Sequence, residues 1–205
     1  MIPVKVLAVR YLSSVSPELG KAFGTDAPCL GLITTDCDDA TYIALDQATK
    51  DAQVKVTYGR SFYAGAGNAS TPYAGEVIGI LEGPTPGAVR SGMESVLNEL
   101  QRVGFTEVNG VPCLAHTVSR CGSFLSKEAG VPEGSAIAYL IAPPLESMYA
   151  LDAALKAADV KLCKLYSPPT ETNFGGGLLT GTQSACTAAC AAFLEAVAEV
   201  TGNPK

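Results

Sequence analysis

The sequence predicts an α+β chain built from two copies of one unit, and three observations carry that expectation. First, Ile43–Val56 (IALDQATKDAQVKV) and Tyr149–Leu162 (YALDAALKAADVKL) are identical at eight of fourteen positions, at a constant offset of 106. Second, each window begins with apolar residues at helical spacing, Leu45, Ala48 and Ala52 in one and Leu151, Ala154 and Ala158 in the other. Each then runs into a β-rich stretch, Val54–Tyr58 and Val160–Tyr166. Third, 47% of the 205 residues are hydrophobic and only 17% are charged, enough apolar surface for a core in each copy. Helices and strands mix without strict βαβ alternation, which places the fold in the α+β class.

The elements follow in order. An apolar run at Val4–Val9 opens the first copy, and Leu30–Ile33 supplies its next strand. The repeated helix and the strand Val54–Tyr58 lead into a Gly-rich loop, Arg60–Gly75, then a strand at Val77–Leu81 and a helix from about Gly87 to Arg102. The second copy reads the same way. Its strands are Pro112–Val118, Ile137–Ile141 and Val160–Tyr166, its loop is Ser167–Gly177, and its last helix runs from about Ser184 to Val200. Upstream, Arg10, Ser13, Ser16, Glu18 and Gly20 match Arg120, Ser123, Ser126, Glu128 and Gly130 at an offset of 110. Downstream, Leu81-Glu-Gly83 matches Leu179-Thr-Gly181 at 98, so the first copy carries about eight more residues in its loop. Two domains of about 100 residues are expected, 1–109 and 110–205, divided near Asn109-Gly110.

Composition also excludes functions. Fourteen basic against twenty acidic residues give a net charge of −6 with no basic block, which argues against a nucleic-acid partner. Thr172–Leu194 carries no charge, yet Gly, Asn, Gln, Ser and Thr interrupt it. It reads as loop, strand and helix start, so no membrane partner is expected. No basic-then-apolar leader follows Met1, and the chain reads as soluble. The seven cysteines (29, 37, 113, 121, 163, 186, 190) read as free buried thiols. Cys186 and Cys190 share a helix face, but no second pair accompanies them, so no metal site is expected. An enzyme would need a thiol beside a base, as in Cys113 or Cys121 with His116. Separations of three and five on a strand put those side chains on opposite faces, and no catalytic residue is assigned. His116 reads as a core or interface histidine, and Arg120 as an interface, rim or salt-bridging residue.

Ala44-Leu-Asp-Gln-Ala-Thr-Lys-Asp-Ala52 and Ala150-Leu-Asp-Ala-Ala-Leu-Lys-Ala-Ala158 resemble the signature helix of bacterial microcompartment shell proteins. In that family the helix is followed by a strand, a Gly-containing pore loop, a strand and a "G-x-x-x-A-V" helix. Gly83-Pro-Thr-Pro-Gly-Ala-Val-Arg90 and Gly181-Thr-Gln-Ser-Ala-Cys-Thr-Ala188 stand where that last helix begins. The strand that ends the usual domain instead opens each copy, as in the circularly permuted subgroup. Across both copies, Leu30–Ile43, Tyr58–Gly65, Ala142–Glu146 and Glu171–Phe174 are similar to the tandem-domain shell proteins of ethanolamine-utilisation microcompartments.

The resemblance implies a structural shell protein located in the microcompartment shell within the cytoplasm. It implies homotrimers whose six domains imitate a hexamer, tile with other shell proteins and pass small molecules such as ethanolamine. It makes Arg60, Phe62, Tyr63, Gly65, Gly67, Asn173, Phe174, Gly175 and Gly176 candidates for central-pore loops that open and close. From the residues alone, the same segments also read as ordinary hairpin loops with Gly for turn geometry. Asp36, Asp38 and Asp39 fit either a capped, dipole-complemented helix start or an acidic pore. The resemblance suggests that Asp38, Asp39 and Glu76, with Phe105, line small pores where ethanolamine binds. No resident cofactor is expected. Cobalamin enters only through the pathway that the resemblance implies. The rival to a pore is a trimeric ethanolamine- or cobalamin-binding sensor.

Overall fold

Alternating and fully apolar runs become antiparallel sheets, and the Ala-rich stretches become the helices laid on them. The computed structural model describes residues 1–62 and 76–205. The chain divides into two units: Pro3–Gly104 with Gly122–Phe124, and Met1–Ile2 with Phe105–Cys121 and Leu125–Lys205.

The first unit comprises β1 (Val6–Leu12), α1 (Pro17–Phe23), β2 (Cys29–Thr35), α2 (Asp38–Asp51), β3 (Lys55–Ser61), β4 (Val77–Gly83) and α3 (Pro86–Glu99). Its sheet is antiparallel throughout, in the order β1-β2-β4-β3. Central strands β2 and β4 contribute Leu30, Ile33, Ile80 and Leu81 to the core, where Leu45 of α2 and Met93 of α3 meet them. The alanines Ala40, Ala44 and Ala48 are fully buried on α2, which permits close helix packing.

The second unit holds β5 (Thr106–Val108), β6 (Val111–Val118), most of α4 (Ser123–Ala129), β7 (Ala136–Ala142), α5 (Pro144–Ala157), β8 (Val160–Tyr166), β9 (Gly175–Gly181) and α6 (Gln183–Gly202). The sheet order β5-β6-β7-β9-β8 repeats that of the first unit, with β5 added at one edge. Helix α6 is long and apolar enough to span a bilayer by length and composition. Its stripe of Cys186, Ala189, Cys190, Phe193, Ala196 and Val197 is nevertheless buried in the core against β6, β7 and β9. None of the seven cysteines forms a disulfide.

The α+β class and the repeat hold, with two corrections. The upstream correspondence runs at 106, not 110. Gly24 and Gly130 end α1 and α4 in the left-handed region, with φ of 72° and 66°. The N–H groups of Val15 and Cys121 donate to Pro28 and Ser135, and those of Thr25 and Val131 donate to Gly20 and Ser126. The five matches at 110 are coincidences among residue types common at any helix start. The second correction concerns Asn109-Gly110, where the sequence placed a domain boundary. Both residues have positive φ (50° and 82°), and they turn the hairpin that pairs Val108 with Val111.

Candidate functional site

Helix α2 begins directly after β2, and this junction assembles the acidic group. Cys37 is the N-cap but makes no side-chain cap bond, so Asp38 and Asp39 occupy the first turn and complement the helix dipole. The junction is locked by Thr35. Its Oγ1 accepts from the Cys37 N–H at 3.1 Å and lies 2.7 Å from Thr41 Oγ1, which itself donates to the Cys37 carbonyl at 2.7 Å.

Asp38 and Asp39 are each 7% exposed. Asp38 Oδ1 accepts from the Asp39 N–H at 2.9 Å, and Asp38 Oδ2 accepts from Ser61 Oγ at 2.6 Å. Ser61 spends its one proton on Asp38, so Tyr42 donates to Ser61 across the remaining 2.6 Å. Burial raises the Asp38 carboxyl above its ordinary value, against the opposing pull of these hydrogen bonds. Glu76 closes the same corner. Its N–H donates to Thr35 and its carbonyl accepts from the Phe62 N–H at 2.9 Å. Burial, then the charges of Asp38 and Asp36, push the Glu76 carboxyl up to about 7. The buried Cys37 thiol is also pushed up, by burial first and then by the charges of Asp39, Asp38 and Glu76, which keeps it neutral. Asp36 is exposed and accepts from the Lys5 N–H at 2.7 Å. The result is a cluster of carboxyl groups whose ionisation burial opposes and a nearby small cation would favour.

The second unit places the aromatic loop. The Thr170 N–H donates to the Phe174 carbonyl, the Asn173 N–H donates to the Thr170 carbonyl, Asn173 adopts φ 64°, and the Phe174 N–H donates to Thr170 Oγ1 at 3.3 Å. Phe105 meets Phe174 edge-on, with ring centroids 5.5 Å apart. Glu76 and Phe174 are counterparts, since each immediately precedes the strand paired at its unit's centre.

The expected site residues therefore regroup. Asp38, Asp39 and Glu76 converge, and Phe62 of the expected central loop joins them through its backbone. Phe105 belongs to the second unit and packs with Phe174. Arg60 is not a loop residue; it lies in β3, opposite Ile78. Gly175 and Gly176 likewise lie within β9 and are buried. Their glycine is explained by close approach: a side chain on Gly176 (φ 151°) would overlap the Leu140 carbonyl, and one on Gly175 would stand 2.8 Å from Ser147 Oγ. Tyr63, Gly65 and Gly67 lie outside the described residues. Sequence reasoning did not identify Ser61 and Tyr42, whose link to Asp38 spans 23 and 4 positions with no local motif.

The Cys113 thiol is buried in the second core and burial pushes it up to about 11, the opposite of an activated nucleophile. Among the described residues, no group of three His, Cys, Asp or Glu is placed to hold a metal ion.

Comparison with known proteins accounts for this architecture. The BMC domain family matches residues 29–112, beginning at the first residue of β2 and leaving β1 and α1 outside the match. The bacterial microcompartment shell protein EutL of Clostridium perfringens is 60% identical over 100% of this chain and 97% of its own length. Its Escherichia coli counterpart is 47% identical over 100% and 96%. A crystal structure of the ethanolamine utilization protein EutL from Leptotrichia buccalis superposes with a TM-score of 0.95 at 55% identity, covering 99% of this chain and 96% of that one. With this identity sustained over the full length of both units, the chain belongs to the EutL family of bacterial microcompartment shell proteins.

Proposed function

We propose that this chain is a structural component of a microcompartment shell that assembles as a homotrimer, tiles with other shell proteins and admits small solutes. Three chains of two units would present six similar wedges around one axis, and the observation that supports this is the duplicated sheet order. Membership of a family named for its shell proteins, not for a reaction, gives the chain a structural role.

The acidic group at the start of α2 supports a finer reading. Asp38, Asp39 and Glu76 would line a small pore selective for ammonium-bearing solutes, ethanolamine among them, through charge attraction. The Phe174 loop would border the central axis and gate it. No described residue is assigned to cobalamin.

Calorimetry tests the small pore. Ethanolamine is expected to bind the parent chain and to lose at least tenfold in affinity in Asp38→Ala and Glu76→Ala variants. Identical binding in all three would refute the assignment. Electron microscopy at high protein concentration tests the tile: threefold-symmetric hexagons packed edge to edge are expected, and dispersed monomers would refute it.

A further inference from the structure

One contact in the first unit has an uncovered counterpart. The Gly122 N–H donates to Asp46 Oδ2 at 2.7 Å, and the Ser123 N–H donates to Thr49 Oγ1 at 3.1 Å. The Phe124 ring tilts against Tyr42 at 5.9 Å and covers Gly59, where a Cβ would stand 3.3 Å from the ring. Under this cover the Asp46 side chain is 0% exposed.

The offset of 106 carries every member of that contact to the other copy. Asp46, Thr49, Tyr42 and Gly59 become Asp152, Leu155, Met148 and Leu165 on α5 and β8. Gly122, Ser123 and Phe124 become Ser16, Pro17 and Glu18 at the start of α1. Both faces lie open. The Asp152 side chain is 63% exposed and Leu165 is 45% exposed, while Ser16, Pro17, Glu18 and Leu19 are all exposed.

We infer that a second copy of this chain seats its Ser16–Leu19 segment on the α5–β8 face around Asp152, repeating the contact that Gly122–Phe124 make around Asp46. The substitutions between the two copies are complementary. Leu155 lacks the acceptor that Thr49 provides, and Pro17 lacks the N–H that Ser123 donates, so the same hydrogen bond is deleted from both sides. The aspartate persists, and so does the N–H that faces it, now on Ser16. Gly59 leaves a hollow for the Phe124 ring; Leu165 fills that hollow, and residue 18 is no longer aromatic. A Cβ on Gly122 would stand 2.7 Å from the Asp46 carbonyl oxygen, backbone that persists at Asp152, so Ser16 must stand farther out than Gly122 does. Its side chain, which makes no cap bond in α1, then spans the gap to Asp152. The two faces differ, so the contact is head-to-tail, and it leaves each chain one donor and one acceptor face to close a ring. Ring closure rests on the trimer reading above.

Disulfide trapping tests this. Ser16→Cys and Leu155→Cys chains are prepared separately, then mixed and oxidised, with the parent as control for native thiols. A disulfide-linked dimer containing one chain of each kind, absent from either variant alone, is expected. Asp152→Ala should weaken assembly about tenfold by sedimentation, as loss of a charge-assisted hydrogen bond implies. Trimers that yield no mixed disulfide would overturn this surface and leave the trimer standing. Monomers at every concentration would overturn both.

Discussion

Asp46 and Asp152 hold the same place in two copies of one helix, four residues before Lys50 and Lys156, and they live in opposite environments. The first carboxylate is sealed beneath Gly122–Phe124, with its lysine 3.7 Å away; the second shares a surface pair that is exposed on both sides. A repeated signature therefore specifies the element but not the role of its residues. The role is set by what covers the helix.

The sharpest way to break this comparison is to remove each carboxylate in turn. Asp46→Ala strips a buried charge from the Gly122 N–H and leaves Lys50 without its neighbour, so unfolding free energy should fall by about 3–5 kcal/mol. Asp152→Ala in the dissociated chain should cost less than about 0.5 kcal/mol, because an exposed i,i+4 pair contributes little. Urea denaturation of both variants at low concentration checks the pair, and equal losses would contradict the contrast.

The next largest effect lies in the central strands. Gly176 and Ile78 are counterparts on β9 and β4, yet only Gly176 has φ in the left-handed half of the map and a carbonyl where its side chain would go. Gly176→Ala should cost about 3 kcal/mol, combining backbone strain with overlap that the rigid β7 backbone cannot relieve. Phe124→Ala should cost less, about 2 kcal/mol, since the ring is only partly buried over Gly59 and Tyr42. The corresponding Glu18→Ala should be neutral in the dissociated chain. Thermal unfolding of the three variants orders these effects.

Much of this was legible from residues alone. The 106-residue repeat, both central helices and the span of β8 follow from periodicity, because amphipathic spacing and β-branched runs are local properties. Three things were not. Gly175–Gly177 reads as a loop, since glycine has no side chain with which to show strand alternation, and only the packing against Leu140, Lys164 and Ser147 reveals why it is there. The α1–α4 alignment failed because common residues outvoted Gly24 and Gly130, whose left-handed caps are the true markers. The Asp46–Gly122 contact joins positions 76 apart, and the signature around Asp46 does not point to Gly122. Of the candidate site, the acidic cluster was readable as charge, but the Tyr42–Ser61–Asp38 chain depends on β3 register, which no local pattern shows.

The smallest effect sharpens the comparison at the strand entrances, where Glu76 in one copy stands for Phe174 in the other. Glu76 has its folded pKa raised from 4.5 to about 7, by burial and then by Asp38 and Asp36. The fold therefore prefers the neutral carboxyl. The stability this contributes is fully present below about pH 4.5 and is lost as pH rises through about 7. Because the group is only half-buried, solvent screening holds the loss to within about 1 kcal/mol. Glu76→Gln should flatten the stability profile between pH 5 and 8, and it should match or exceed the parent above pH 7. Phe174→Leu should leave the slope as it was, since nothing titrates there. A cationic solute at this corner works in the other direction. It favours ionised Glu76, so ethanolamine affinity should rise severalfold from pH 6 to 8 in the parent and stay flat in Glu76→Gln. A parallel rise in both chains would show that a group other than Glu76 titrates with binding.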